Sequence, residues 1–524
     1  MPLAAPMQGT VVSIAVAEGA TVRSGQAVLV MEAMKMEHEI VARTSGILRS
    51  FTVAQGDTVF EGHPLAFIHE AEVEEDADAA QDEIDLDAIR PDLAEVLERQ
   101  AMTRDAARPE AVARRRKTGQ RTVRENVEDL VDPGSFVEYG ALAIAARRRR
   151  NTVEELIRTT PADGLVAGIG RVNGALFPDR DARCAVISYD YTVLAGTQGK
   201  KNHAKKDRMF ELAERLRLPV MFFTEGGGGR PGDTDEITAA NLIVEAFNRF
   251  GRLSGLVPLV GITSGRCFAG NAVLLGCCDV IIATANSTIG MGGPAMIEGG
   301  GLGVFKPEEV GPMSVQVPNG VVDIAVADEA EAVAVARKYI SYFQGPLAEW
   351  SCADQRLLRR AVPENRLRVY DVRQVIETLA DTGSVLEIRR GFGAGMVTAF
   401  IRIEGRPLGL IANNPMHLGG AIDSDAGDKA ARFMQLCDAH DIPILSLCDT
   451  PGLMVGPDVE KTGLVRKSAR VLVAFANATV PVMTVVLRKA YGLGAQGMAG
   501  AGFHAPQIAV AWPTGEFGGM GLEG

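Results

Sequence analysis

Most of this chain says the same thing twice, and a repeat of that length dictates one fold used in duplicate. DPGSFVE (132–138) returns as DTGSVLE (381–387), and GLVAGIGRVNG (164–174) as GMVTAFIRIEG (395–405). FELAERLRLPVMFFTEGGG (210–228) returns as MQLCDAHDIPILSLCDTPG (434–452). The offset shrinks from 249 to 231 to 224, because the first copy carries extra residues around 147–163 and 177–181. AVISYDYTV and LGLIANNP read as apolar strand ends. RMFELAERL and ARFMQLCDA space their apolar residues as helices do. VMFFTEGGGG and ILSLCDTPG read as buried strands running into glycine loops. Strands alternating with helices predict a duplicated α/β fold with crossover helices. Its halves are expected over 89–360 and 361–524. Residues 89–107 read as helical, and ARRRKTGQRTVRENVEDLVDPGSF as one helix ending at Pro133-Gly134.

A second, smaller repeat fills residues 1–70. GTVVSIAVAEGATVRSGQAVLV (9–30) aligns with GILRSFTVAQGDTVFEGHPLAF (46–67) at a constant offset of 37. Each copy alternates apolar and polar residues between glycine turns, which predicts short strands packed as an all-β flattened barrel. The piece joining the copies, VMEAMKMEHEI (30–40), should be a hairpin presenting Lys35 between Met34 and Met36. Exposed methionines give no packing return. A recognition surface for an enzyme that modifies Lys35 explains both the lysine and its flanks. Beyond it, residues 71–88 are acidic and lack apolar periodicity, as expected for a flexible tether or a plain spacer.

Composition removes other classes. A net charge of −12 argues against general nucleic-acid affinity. The seven cysteines form no CxxC pair, so no metal site is expected and the thiols should be buried and reduced. The N-terminus does not read as a signal peptide and no apolar run reaches membrane-spanning length, so a cytoplasmic protein is expected, with no membrane partner.

Two glycine loops are the candidate chemistry. TEGGGGR (224–230) follows a buried strand, and RKAYGLGAQGMAG (488–500) opens a small-residue helix, with FAGNAVLLG (268–276) in the matching place of the first copy. Such loops can bare backbone N–H groups to a negative oxygen, or serve only as turns and close-packing elements.

These motifs carry a resemblance. EAMKM, around Lys35, resembles the attachment motif of biotin carboxyl carrier domains; lipoyl domains share the hairpin lysine but usually flank it with acidic and small residues. From about residue 110 onward, DPGSFVE, DYTVLAGTQG, ANNPMHLGGAID, DKAARFMQLCDAHDIPIL, DTPGLMVG, ATVPVMTVVLRKAYG and VAWPTGEFGGMG resemble, in order, the carboxyltransferase component of biotin-dependent acyl-CoA carboxylases, a duplicated crotonase-like fold. The resemblance implies biotin amide-linked to Lys35, attached by a biotin protein ligase that reads Met34 and Met36. It implies transfer of carboxyl from carboxybiotin to the α-carbon of an acyl-CoA. Oxyanion donors would be Gly227 and Gly228 in one half, Leu493 and Gly494 in the other. The family's acidic-Ser-Gly-Gly-Ala-Arg loop stands here as EGGGGR, which keeps Arg230 as a substrate-side residue. Gln496 stands where propionyl-type enzymes carry an acidic residue that helps choose the acyl group. Lys200 and Lys201, with Lys205, Lys206 and Arg147 to Arg150, form clusters that would meet CoA phosphates or else be solvated faces. Asp190, Glu225 and Asp449 are the nearest acidic residues, with a structural role expected. Nothing resembles a biotin carboxylase, so a partner subunit or domain is expected, as are a homo-oligomer, a hexamer by resemblance, and an incomplete C-terminal half. The same motifs would suit the transferase of a biotin-dependent acyl-CoA decarboxylase, or a carrier fused to an inactive scaffold.

Overall fold

The computed structural model describes residues 1–73, 85–235 and 243–521. Most of the expected acidic tether, residues 74–84, lies outside the described residues. The chain divides into two compact units, Met1–Arg90 and Pro91–Gly524.

The first unit is a barrel of two four-stranded antiparallel sheets. One holds Pro2–Ala4, Pro64–Glu70, Gly46–Phe51 and Thr21–Val22; the other holds Met36–Val41, Ala27–Ala33, Gly9–Ile14 and Thr58–Val59. Strands matched by the 37-residue repeat fall in opposite sheets, as pseudo-two-fold symmetry requires. Their shared core joins repeat mates Val22 and Val59 to Leu29, Met31, Leu48, Leu65 and Ile68. Mates Gly9 and Gly46 are glycine for one reason. A Cβ there would stand 2.6 Å from Glu32 O and 2.0 Å from His69 O respectively.

The second unit contains two sheets built alike. In the first, Val137–Glu138, Leu165–Arg171 and Arg183–Tyr189 pair antiparallel, then Val220–Phe223, Leu259–Thr263, Val280–Thr284 and Ile324–Val326 continue in parallel. In the second, Leu386–Ile388, Met396–Ile403 and Arg406–Asn413 pair antiparallel, then Ile444–Thr450, Val482–Tyr491 and Ile508–Ala511 continue in parallel. Val220–Phe223 and Ile444–Thr450 are buried at every position, the pattern of parallel strands covered on both faces. Helices Lys200–Leu216 and Ser424–Ala439 make the matched crossovers. Helix Glu329–Gln344 packs Tyr339 and Tyr342 against Phe400, joining the halves in one core.

The repeat persists in side-chain contacts that motif spelling alone does not show. Arg124 grips Glu138 at 2.7 and 3.1 Å, and Arg373 grips Glu387 at 2.8 and 2.5 Å. Asp132 accepts from Gly174 N at 2.8 Å, and Asp381 from Gly405 N at 2.7 Å. Lys205 donates to the carbonyls of Ala162 and Leu165, and Lys429 to those of Arg389 and Phe392.

Two expectations need correcting. The segment read as one helix is two, Pro109–Arg116 and Val123–Leu130. Gly119 turns the chain with φ of 73°, and Thr122 opens a new helix through a capping box with Glu125. The cysteines are all free, but Cys277 and Cys352 are exposed.

Candidate active site

Lys35 stands at the tip of a two-residue hairpin. The ladder between Ala27–Ala33 and Met36–Val41 closes at the pair Ala33 and Met36, leaving Met34 and Lys35 as the turn. Their φ angles are 53° and 67°. Both are left-handed, as a tight hairpin turn of matching twist requires, though neither is glycine. Met34 is 97% exposed and Met36 65%, whereas Met31 is a core residue. The turn therefore presents a lysine on apolar shoulders and hides nothing of it. Those residues fit a group attached at Nζ.

The first glycine loop follows strand Val220–Phe223. Its amides can be accounted for one by one. Gly226 N donates to Arg266 O at 2.8 Å, Gly227 N to Ala195 O at 3.1 Å and Gly228 N to Asn271 Oδ1 at 3.1 Å. Arg230 N donates to Gln198 O at 2.9 Å. The amides of Gly227 and Gly228 are thus engaged within the protein. Gly229 N has no acceptor among the described residues. Gly229 is exposed, and a Cβ added there would meet nothing within 4 Å. Gly229 instead lines a cavity of about 770 Å³ with Gln198, Lys200, Lys201, Phe247 and Gly270.

The second half repeats the arrangement with different residues. Gly229 forms an isolated parallel bridge with Gln198, and Leu453 forms the matching bridge with Ile422. Leu453 N, like Gly229 N, has no acceptor among the described residues. Leu493 and Gly494 lie in the first turn of helix Gly492–Met498, where amides lack intrahelical acceptors. A Cβ at Gly494 would sit 2.6 Å from Gly452 C and 2.9 Å from Leu453 N. Glycine is therefore what lets this helix start against the loop. Leu493 is 59% exposed, and Gln496, one turn on, is exposed on the same helix.

Other expected site residues are tied into internal contacts. Arg230 is buried, with Nη1 on Asp163 Oδ1 and Nη2 at 3.0 Å from Thr197 O, so its guanidinium is held by the protein itself. Lys206 is fully buried on Tyr189 Oη at 2.8 Å and Gln198 Oε1 at 2.7 Å. Burial drives its pKa far below the ordinary lysine range, and that of Lys205 to about 8. Neither meets a phosphate. Arg147 and Arg148 face Asp233 and Asp235 at 4.0 and 3.0 Å. Asp190 is held by Arg108 at 2.8 Å, and Asp449 by Arg488 at 3.1 Å and Tyr370 Oη at 2.9 Å. Glu225 is gripped twice by Arg115. No one of the three is a free carboxylate.

The profile of the carboxyl transferase domain family matches residues 114–524, and that of biotin-requiring enzymes matches residues 2–68. The chain belongs to the carboxyl transferase family. This carboxyltransferase is 33% identical over 452 residues to the propionyl-CoA carboxylase beta chain of Saccharopolyspora erythraea, covering 82% of this chain and 80% of that one. It is 32% identical over 444 residues to the biotin-dependent long chain acyl-coenzyme A carboxylase beta4 subunit of Mycobacterium tuberculosis, covering 82% of each. Among solved structures, a single-chain, multi-domain long-chain acyl-CoA carboxylase matches all of this chain with a TM-score of 0.82 and 55% identity. The carboxyltransferase spans 52% of that longer chain. The transcarboxylase 12S structure, a hexamer with methylmalonyl-CoA bound, matches 83% of this chain and 85% of its own, with a TM-score of 0.73 and 30% identity. The fused biotin-requiring domain makes Lys35 the lysine that carries biotin covalently.

Sequence reasoning about the carboxyltransferase missed Gly229, Leu453 and Asn271. Four consecutive glycines look alike in a sequence, and only the direction of each N–H separates them. Asn271, inside FAGNAVLLG, was the available signal: a fully buried carboxamide in an apolar run needs several partners.

Proposed function

We propose that this chain transfers a carboxyl group from biotin on Lys35 to the α-carbon of an acyl-CoA. When bound, biotin supplies the carboxyl group and a ureido oxygen that gains negative charge as the carboxyl departs. The chain's own part is to meet developing charge. Removing the α-proton of a thioester moves charge onto its carbonyl oxygen. A fixed N–H aimed at such an oxygen contributes about 3 kcal/mol, two to three powers of ten in rate. The observation that carries this reading is the matched pair of bridge positions, Gly229 and Leu453, each with an amide that has no acceptor among the described residues, at a strand-end loop. Leu493 and Gly494 add donors beside Leu453; Lys200 and Lys201 at the cavity rim would suit CoA phosphates. Gln496, exposed on the helix of Leu493, would bias the choice of acyl group. Asp190, Glu225 and Asp449 are tied up in ion pairs, so no side chain of this set acts as base.

The reading includes a biotin carboxylase partner and a homo-oligomer, a hexamer like that of the 12S protein. Among the described residues no helix is long and apolar enough to cross a membrane. The test is transfer between free biotin and a panel of malonyl-, methylmalonyl- and longer acyl-CoA thioesters. Bulk at Gly229 meets open space, so Gly229→Val should fold and lose transfer. Full activity of that variant overturns the reading of the first loop.

A further inference from the structure

The two glycine cradles are not built alike, and one buried side chain makes the difference. Strand registers align the halves: Val220 pairs with Leu259, and its counterpart Ile444 pairs with Val482. Carrying that alignment forward sets Ala269 beside Gly492, both with positive φ (51° and 56°), and Asn271 beside Gly494.

Asn271 is completely buried, and each of its polar atoms is used twice. Oδ1 accepts from Gly228 N at 3.1 Å and from Gln198 Nε2 at 3.0 Å. Nδ2 donates to Gly196 O at 3.3 Å and Thr224 O at 3.2 Å. That full set of partners fixes which end is oxygen. Behind it, Gln198 Oε1 accepts from Lys206 Nζ, which also donates to Tyr189 Oη. A polar relay therefore runs from Tyr189 through Lys206, Gln198 and Asn271 to the Gly228 amide. At the positions matching Gln198, Lys206 and Asn271, the second half has Ile422, Ala430 and Gly494. It cannot form the relay.

We propose that Asn271 is a positioning residue of the transfer reaction. Its carboxamide turns the Gly228 N–H inward, and that rotation leaves the next amide, Gly229, as the loop donor facing the cavity. Without the grip, the glycine-rich stretch has no side chain to choose which N–H points out, and glycine backbone visits both senses of φ freely. Asn271 acts through Gly228 and touches no reacting atom. The inference rests on the carboxyl-transfer reading above.

The experiment compares wild type with Asn271→Gly, which copies the second half, in the free-biotin transfer assay with methylmalonyl-CoA. Hydrogen–deuterium exchange of the peptide containing 224–230 is measured in parallel. The expected result is faster exchange confined to that loop, kcat down at least tenfold, and KM for the thioester within threefold. A second variant, Gln198→Leu, removes one of the two bonds to Asn271 Oδ1 and should give an intermediate loss. Unchanged exchange in the loop shows that Asn271 does not hold it and overturns the proposal. So does faster exchange with unchanged kcat. Exchange rising across the whole chain identifies a general folding role, and this also overturns it. Wild type inactive with every thioester would count against the transfer reading itself, while the exchange measurement still decides whether Asn271 holds the loop.

Discussion

Arg115 closes on Glu225 through two hydrogen bonds, 2.9 Å from Nη1 to Oε1 and 2.6 Å from Nη2 to Oε2. Both side chains are buried, and Gln120 adds a third contact to the carboxylate at 3.3 Å. Glu225 begins the glycine loop, so this ion pair anchors the loop to the helix Pro109–Arg116. Removing one partner strands the other charge. Arg115→Met should cost about 3–5 kcal/mol of stability, read by urea denaturation. Glu225→Gln keeps part of the hydrogen bonding and should cost less.

Lys35→Arg keeps a positive side chain on the hairpin tip but offers no amine for an amide bond. After expression with a biotin ligase, the wild type should bind streptavidin on a blot and the variant should not. Transfer to free biotin should persist, because the loops belong to the other compact unit. A streptavidin signal on the variant would place the attachment elsewhere.

Gly494 and Gly497 share one short helix and should respond unequally to an added methyl group. A Cβ at Gly494 intrudes on Gly452 at 2.6 Å, whereas at Gly497 the nearest atom is Val471 Cγ1 at 3.6 Å. Gly494→Ala should push the helix start off the Leu453 loop and lower kcat by about a hundredfold, the scale of one lost oxyanion donor. Gly497→Ala should keep near wild-type rates. Free-biotin transfer kinetics on both variants decides it.

Lys429 gives a pH dependence of stability. Burial takes its pKa from the ordinary 10.5 down to about 7. Arg373 and Arg389 push the same way, and Glu387 and Asp323 oppose. Below pH 7 both folded and unfolded chains hold the proton, and the fold bears the cost of a buried charge. Between pH 7 and 10.5 the unfolded chain binds more protons, so this lysine makes stability rise with pH in that window. Lys429→Met should flatten that part of the curve in denaturant titrations from pH 6 to 10. Above pH 7, where the folded lysine is neutral, it should also lower stability, since the carbonyls of Arg389 and Phe392 lose their donor.

The duplicated fold was legible because strands, crossover helices and glycine turns all leave local signatures. VMFF is apolar throughout and ILSLC nearly so, and both runs are short and bounded by turn signals, as strands covered on both faces are. Lys35 was legible because nothing else explains methionines on a turn. The direction of each loop amide was not, because TEGGGGR spells no difference between Gly227, Gly228 and Gly229. Arg230 and Lys206 misled for a related reason. A charged letter in a loop or on an amphipathic helix reads as surface, and only the three-dimensional neighbours Asp163, Tyr189 and Gln198 reveal that these cations are interior. The break at Gly119 was missed because one glycine within a polar helical run is a weak stop signal unless the following Thr122 is weighed as a cap.

Asn271 against Gly494 has a pharmacological consequence. Two copies of one ancestral cradle, once they differ by a carboxamide, stop being one target. The two loops differ again at Gly229 and Leu453: a compound seated on the bare glycine backbone would meet a leucine side chain at the matching place in the sister copy. Ligands could then silence one half of the duplicated domain and leave its twin untouched.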